Sequence, residues 1–254
     1  MTDALGQLRW DVYRRGAGLV LNRRDWTRFY LNLRNAWDLE PEGFARIYSP
    51  LYRRDAVRTT EELFAPHFAR EGLTFLESVL RAEMRTKLVD EYLATEDRVS
   101  MAHSLEVRVP FLDRRLVEAA VTLPGDLKAP RPGQKKLVYR ESLRGLVPPA
   151  LLDRPKRGFS FDPVAQFTRD LAGQARRELT PARLSELGYF EPRFIQQILQ
   201  SRPHRNLRWH YFYLWTVVAF SVWHRLFIED EAPRRVDASP RAGAAARSDA
   251  LAGV

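Results

Sequence analysis

Residues 97–113 read Asp97-Arg98-Val99-Ser100-Met101-Ala102-His103-Ser104-Leu105-Glu106-Val107-Arg108-Val109-Pro110-Phe111-Leu112-Asp113, a dense run of charged and apolar side chains that closes in a proline turn. Pro110 stops any helix before it and biases Val109 towards an extended backbone. In an extended segment Glu106 and Arg108 flank Val107 and point to the same side. Phe111 and Leu112 are expected to anchor the turn in a core, and Asp113 is placed to cap a helix carrying Leu116, Val117 and Ala120. The run therefore predicts a carboxylate and a guanidinium on a rigid turn between two packed helices. They form either an ordinary structural ion pair or part of a site.

Upstream, a helical stripe of Leu76, Leu80, Met84 and Leu88, with Val79 and Tyr92 beside it, predicts a long buried helix from Leu73 into this run. Downstream the pattern gives a helix over 115–121, a turn at Leu123-Pro124-Gly125 and a basic loop ending in Pro130-Arg131-Pro132-Gly133. A helix from near Gln134 follows and is stopped by Pro148-Pro149. Further amphipathic segments run over 164–179, on from Thr180-Pro181 to Leu187, and on from Phe190-Glu191-Pro192, before a final aromatic-rich helix over about 207–227. The first seventy residues read as short helical or loop pieces broken at Pro41, Pro50 and Pro66, with Gly16-Ala17-Gly18 as a turn rather than a phosphate loop. No βαβ alternation is visible, so the fold class is mainly α. Three regions are expected: an aromatic-rich helical or loop segment over 1–72, a helical part over 73–230, and a disordered tail over 231–254, rich in Ala, Arg, Ser, Gly and Pro.

Composition narrows the chemistry. The 254 residues, 45% hydrophobic, suffice for one large domain or two small ones. There is no cysteine, which excludes disulfides, thiolate metal sites and a cysteine nucleophile. No apolar run approaches the roughly 18 residues of a membrane span, and no basic segment leads into an apolar one at the N-terminus, so the cytoplasm is the expected compartment and no membrane is expected as a partner. The net charge of +9 permits nucleic-acid binding, but the arginines are spread in pairs such as Arg14-Arg15, Arg23-Arg24 and Arg53-Arg54. Without a zinc spacing, an aromatic RNA-binding signature or a helix-turn-helix, a solvated basic surface is the preferred reading and nucleic acid is not expected as a partner.

Two later segments complete an ordered set of motifs. They are Gly133-Gln134-Lys135-Lys136-Leu137-Val138-Tyr139-Arg140-Glu141 and Leu152-Asp153-Arg154-Pro155-Lys156-Arg157-Gly158-Phe159. With residues 97–113 they resemble, in order and spacing, the signature, the Lys-x-x-x-Arg-Glu helix start and the Arg-Pro-Lys-x-Gly-Phe loop of the asparagine synthase (glutamine-hydrolysing) family. The resemblance covers about residues 73–227. It implies the helical C-terminal half of an α/β synthetase domain in which ATP, with Mg²⁺, activates the aspartate carboxylate. Ammonia released from glutamine by an N-terminal domain then attacks the acyl-adenylate, giving asparagine, AMP and pyrophosphate. Lys136 matches the catalytic lysine that steadies phosphate charge, with Lys135 competing by position and a solvated first-turn residue as the plain alternative. Glu106 and Arg108 are implied in substrate binding, one towards an amino group and the other, through its planar fork, towards a carboxylate or phosphate. Arg154, Lys156 and Arg157 are either a phosphate-closing loop or a basic surface turn.

The chain also departs from the family pattern. It has no cysteine for glutamine hydrolysis, no Ser-Gly-Gly-x-Asp-Ser loop, no Ser-Gly-x-Gly-x-Asp-Glu loop, and no Gly-Gly pair. Those loops supply backbone donors for phosphate and carboxylates for Mg²⁺. The expectation is thus an incomplete synthetase without its nucleotide-binding sheet, inactive alone. It is one half of a split enzyme whose partner chain carries the loops and the glutaminase domain, a truncated copy, or a helical interaction module. Related synthetase domains act on other carboxylates in β-lactam, peptide and glycan modification, so the small-molecule carboxylate stays open.

Overall fold

The structure, a computed structural model, describes residues 13, 14, 16–56, 58–128, 136–152, 154 and 162–230. Among these the chain is helical, with two isolated bridges, Tyr48 to Phe190 and Arg144 to Val147, and no strand. The expected mainly α class holds.

Residues 16–21 are helical, so Gly16-Ala17-Gly18 is not a turn. Gly18 serves a close helix approach instead: a Cβ there would fall 2.2 Å from Asn32 Oδ1. Asp25 accepts the Arg28 N–H at 2.9 Å and starts α1 (Trp26–Leu33). Pro41 and Pro50 divide short helices as expected, each as the first residue of the next one, α2 (Pro41–Ile47) and α3 (Pro50–Asp55), where its missing N–H costs nothing and its fixed φ suits the first turn. Pro66 sits inside α4 (Thr60–Phe68), which a Thr59/Glu62 capping box starts and which packs Phe64 and Phe68 on the Tyr30 ring at 5.8 and 5.2 Å.

The stripe after Leu73 gives three pieces. A second capping box, Thr74 with Glu77, opens α5 (Phe75–Arg85). At Thr86 the backbone turns to φ −120°, ψ −84°, and a π-helical stretch, Lys87–Leu93, leads into α6 (Ala94–Met101). The long helix is not buried either. Ser78 and Ala82 are its buried residues in α5, while Leu80, Met84 and Tyr92 are exposed.

Then come α7 (Arg114–Thr122), α8 (Gly125–Lys128), α9 (Leu137–Ser142) and α10 (Pro149–Leu152). The expected 164–179 segment is one continuous helical rod, α11 (Pro163–Gln166), a π turn over Phe167–Leu171, and α12 (Ala172–Glu178). The chain ends in α13 (Pro181–Leu187, capped by Thr180), α14 (Pro192–Gln200, capped by Glu191) and α15 (Arg208–Phe227). Residues 231–254 lie outside the described residues.

Two cores result. The larger gathers Phe167, Leu184, Ile195, Ile198, Leu214 and Val217 around Tyr211, whose ring stacks on Phe167 at 4.1 Å. Ile47 joins it, and the Glu191 N–H donates to Ile47 O at 2.9 Å, tying α2 to the C-terminal helices. The smaller core is Tyr30, Leu31, Phe68 and Ala82. From Glu83 to Gln166 no described residue is buried. The candidate site lies on this bare arm.

Candidate functional site

The sequence 97–113 folds as the end of α6, an irregular link and a one-turn 3₁₀ helix. Ser104, at φ 56°, ends α6 in the left-handed region, and the Leu105 N–H returns to Ser100 O at 3.0 Å. Residues 105–109 form a link without regular secondary structure, in which Val109, before the proline, lies at φ −116° and ψ 80°, and Pro110–Leu112 forms the 3₁₀ turn. Asp113 accepts the Arg115 N–H at 3.0 Å and caps α7, as expected. The Arg115 guanidinium beside it holds the Asp113 carboxyl below the usual carboxylate range.

Glu106 and Arg108 meet on one side of the link. The Arg108 Nη2 donates to Glu106 Oε2 at 2.6 Å, and both side chains are mostly in water, at 70% and 83% exposure. In such surroundings the pair contributes little to stability. The expected core anchor is not found, because Phe111 is 61% exposed. Its ring instead meets Tyr139 edge-on at 5.4 Å. This contact joins the signature turn to the helix that Lys136 begins.

Lys136 stands at the N-cap of α9 with φ 56° and ψ 43°, without a side-chain cap, and its carbonyl accepts the Arg140 N–H at 2.9 Å. A left-handed lysine is costly, and such strain tends to gather at functional sites. One turn on, Arg144 grips Glu141, its Nη2 donating to Oε1 at 2.9 Å and keeping that carboxyl below its usual range. Arg154 is an exposed bend residue. Lys135, Lys156 and Arg157 lie outside the described residues, so the basic loop is represented by Arg154.

The structure thus brings the Glu106/Arg108 link and the Lys136 helix to one arm through Phe111 and Tyr139. Sequence reading overlooked Tyr139, and the left-handed Ser104 and Lys136 carry no glycine to signal them. Among the described residues no group of three or more His, Cys, Asp or Glu side chains could hold a metal ion. No described helix is long and apolar enough to cross a membrane.

Comparison with known proteins gives a consistent picture. The asparagine synthase family model matches residues 7–225. Asparagine synthetase (glutamine-hydrolyzing) 1 of Bacillus subtilis is 29% identical over 150 residues, which is 58% of this chain and 23% of the relative. The putative asparagine synthetase (glutamine-hydrolyzing) of Mycobacterium tuberculosis strain H37Rv is 31% identical over 182 residues, 71% of this chain and 27% of the relative. The chicken (Gallus gallus) asparagine synthetase is 44% identical over 66 residues, 25% of this chain and 12% of the relative. The chain spans about a quarter of the length of the bacterial relatives it matches. No solved structure matches.

Proposed function

The chain belongs to the asparagine synthase family, and from that premise we propose that it supplies the helical half of an ATP-dependent amide ligase completed by a second polypeptide. The reading is carried by the three ordered motifs inside the family match, two of which meet through Phe111 and Tyr139. In this reading an aspartate carboxylate oxygen attacks the α-phosphorus of ATP and pyrophosphate leaves. Ammonia then attacks the acyl carbon and AMP leaves with the electrons of the broken C–O bond.

The first step accumulates negative charge on the α-phosphate and on pyrophosphate. A fixed ammonium in a site closed from water lowers that barrier, which is the role assigned to Lys136. Arg108 presents a planar fork to the substrate carboxylate, and Glu106 accepts from its amino group. In the isolated chain these two groups satisfy each other, so substrate must displace an exposed ion pair that costs little to open. Arg154, with Lys156 and Arg157, adds cations for the departing pyrophosphate. The glycine-rich loops, Mg²⁺ and ammonia from glutamine are assigned to the partner.

The test is pyrophosphate release from ATP and aspartate in ammonium buffer, with this chain alone and with a co-expressed polypeptide carrying the glycine-rich loops. Release in the mixture only, lost on Lys136→Ala, is the expected result. Release by the mixture that survives Lys136→Ala would refute the role of that lysine. A second reading, a non-catalytic interaction module, is favoured by the absence of a buried residue among those described from Glu83 to Gln166; it requires that no carboxylate support release.

A further inference from the structure

Between α5 and α7 lies an open groove of about 620 Å³, walled by Leu80 and Met84 on one side and by Phe111, Val117 and Val121 on the other. Leu80 is 38% exposed and Val121 56%, so these side chains are available to a visitor. Four cations, Arg70, Arg81, Arg85 and Lys128, also line it, against the single carboxylate of Glu77. That carboxylate is already committed to the Thr74 N–H and hydroxyl at 2.8 and 2.7 Å. Arg81 donates to the carbonyls of Pro66 and His67, and Lys128 to that of Val121. Among the described residues none of the four cations makes a close ion pair, and Lys128 acts on Glu77 only through the longer-range field that helps lower its carboxyl. An apolar floor beneath an excess of cations over carboxylates calls for a ligand with an apolar stripe and acidic flanks.

The described residues offer no sheet edge, so strand addition is not available, and a helix laid in the groove is the recognition mode that fits. The 11 residues of α5 give a wall of about 16 Å, the length of three helical turns. The chain's own tail is a poor occupant: residues 231–254 carry four arginines against three acids, and only Val236, Leu251 and Val254 as large apolar side chains. A second copy carries a net charge of +9 and meets like charge. We infer that the α5–α7 groove binds an acidic amphipathic helix, contributed by the polypeptide that completes the synthetase. The inference rests on the reading above for the identity of that polypeptide, and supplies what covers part of the bare arm.

The test uses the full chain and fluorescent peptides of about four turns, read by anisotropy without ATP. One peptide places leucines at i, i+3, i+4 and i+7 with glutamates elsewhere; a second has the same composition scrambled; a third replaces glutamate by lysine. The first should bind at least about ten-fold more tightly than either control, and should weaken as salt rises from about 0.05 to 0.3 M. Leu80→Glu and Val121→Glu, both at exposed positions and checked for unchanged circular dichroism, should each abolish the preference. Arg70→Glu with Arg85→Glu should transfer it to the lysine peptide. Equal binding of all three peptides, or binding indifferent to Val121→Glu, would overturn the inference. So would sedimentation of the chain as a dimer that Val121→Glu dissolves, which puts a second copy in the groove. Because no step of this assay involves ATP, its failure leaves the ligase reading standing, and loss of pyrophosphate release leaves the groove standing.

Discussion

Lys136 combines a conformational cost with a proposed chemical role, and the two can be separated. A non-glycine residue in the left-handed region costs about 1–2 kcal/mol, of which glycine's greater unfolded-state entropy returns about 0.5–1 kcal/mol. Lys136→Gly is therefore expected to stabilise the chain by about 0.5–1 kcal/mol in urea unfolding, while pyrophosphate release by the complete assembly falls by about a hundred-fold or more. A variant that loses stability and keeps activity contradicts both assignments. Glu106→Gln and Arg108→Gln should leave the urea midpoint where it is, since the pair lies in water, and should lower release in the assembly. Much of this was legible in the chain. Two residues flanking one position of an extended segment are expected on one side, and the Arg108–Glu106 contact puts them there. The strained φ of Ser104 and Lys136 was not, because neither position bears the glycine that normally marks it. Nor was the Phe111–Tyr139 contact, which joins segments whose local patterns say nothing of each other.

At the scale of elements, side chains at the helix ends decide where the segments begin. Thr74→Ala removes the hydroxyl that accepts the Glu77 N–H and should cost about 1 kcal/mol in unfolding free energy. The Thr74 N–H and hydroxyl hold the Glu77 carboxyl below its usual value of 4.5. A carboxyl depressed in the folded state stabilises fully above the unfolded value and loses that contribution as pH falls through the folded one. The difference in melting temperature between the native chain and Thr74→Ala should accordingly shrink as pH drops below about 4.5; a constant difference would mean the box adds no charge-dependent stability. Burial, helped by Arg81 and Arg85, pushes the His67 imidazole below its usual 6.5. This group also favours folding above its unfolded value and ceases to do so as pH falls, so His67→Gln should flatten the stability curve just below neutrality. The cap at Asp113 and the starts at Thr180-Pro181 and Glu191-Pro192 are legible in the sequence, while the caps at Asp25, Ser49, Thr59 and Thr74 are not read there. Pro66 is the proline that departs from expectation, since it sits inside a helix instead of breaking the chain. The break at Thr86 left no trace, since the apolar stripe runs on through it.

For the whole molecule the question is which apolar residues this chain covers for itself. A stripe such as Leu76, Leu80, Met84 and Leu88 shows that a helix has an apolar face, and carries no information on whether the cover comes from the same polypeptide. That is why the helix was expected to be buried and is not. The two cores are self-sufficient: Leu214 is fully buried among helix neighbours, and Leu214→Ala should cost about 2–5 kcal/mol. Phe111→Ala, in the arm, should cost far less, its ring being mostly in water. Local opening free energy follows buried apolar contact, so amide hydrogen exchange should divide the chain. In the isolated protein the amides of α12, α14 and α15 should exchange slowest, and those of the described residues between Lys87 and Leu152 fastest. Adding the loop-bearing polypeptide should slow exchange in the arm, first along α5 and α7 where the groove is walled, and leave α15 unchanged. An arm already as protected as α15 in the isolated chain would show that it holds itself together without a partner, and the case for a split synthetase would lose its physical basis.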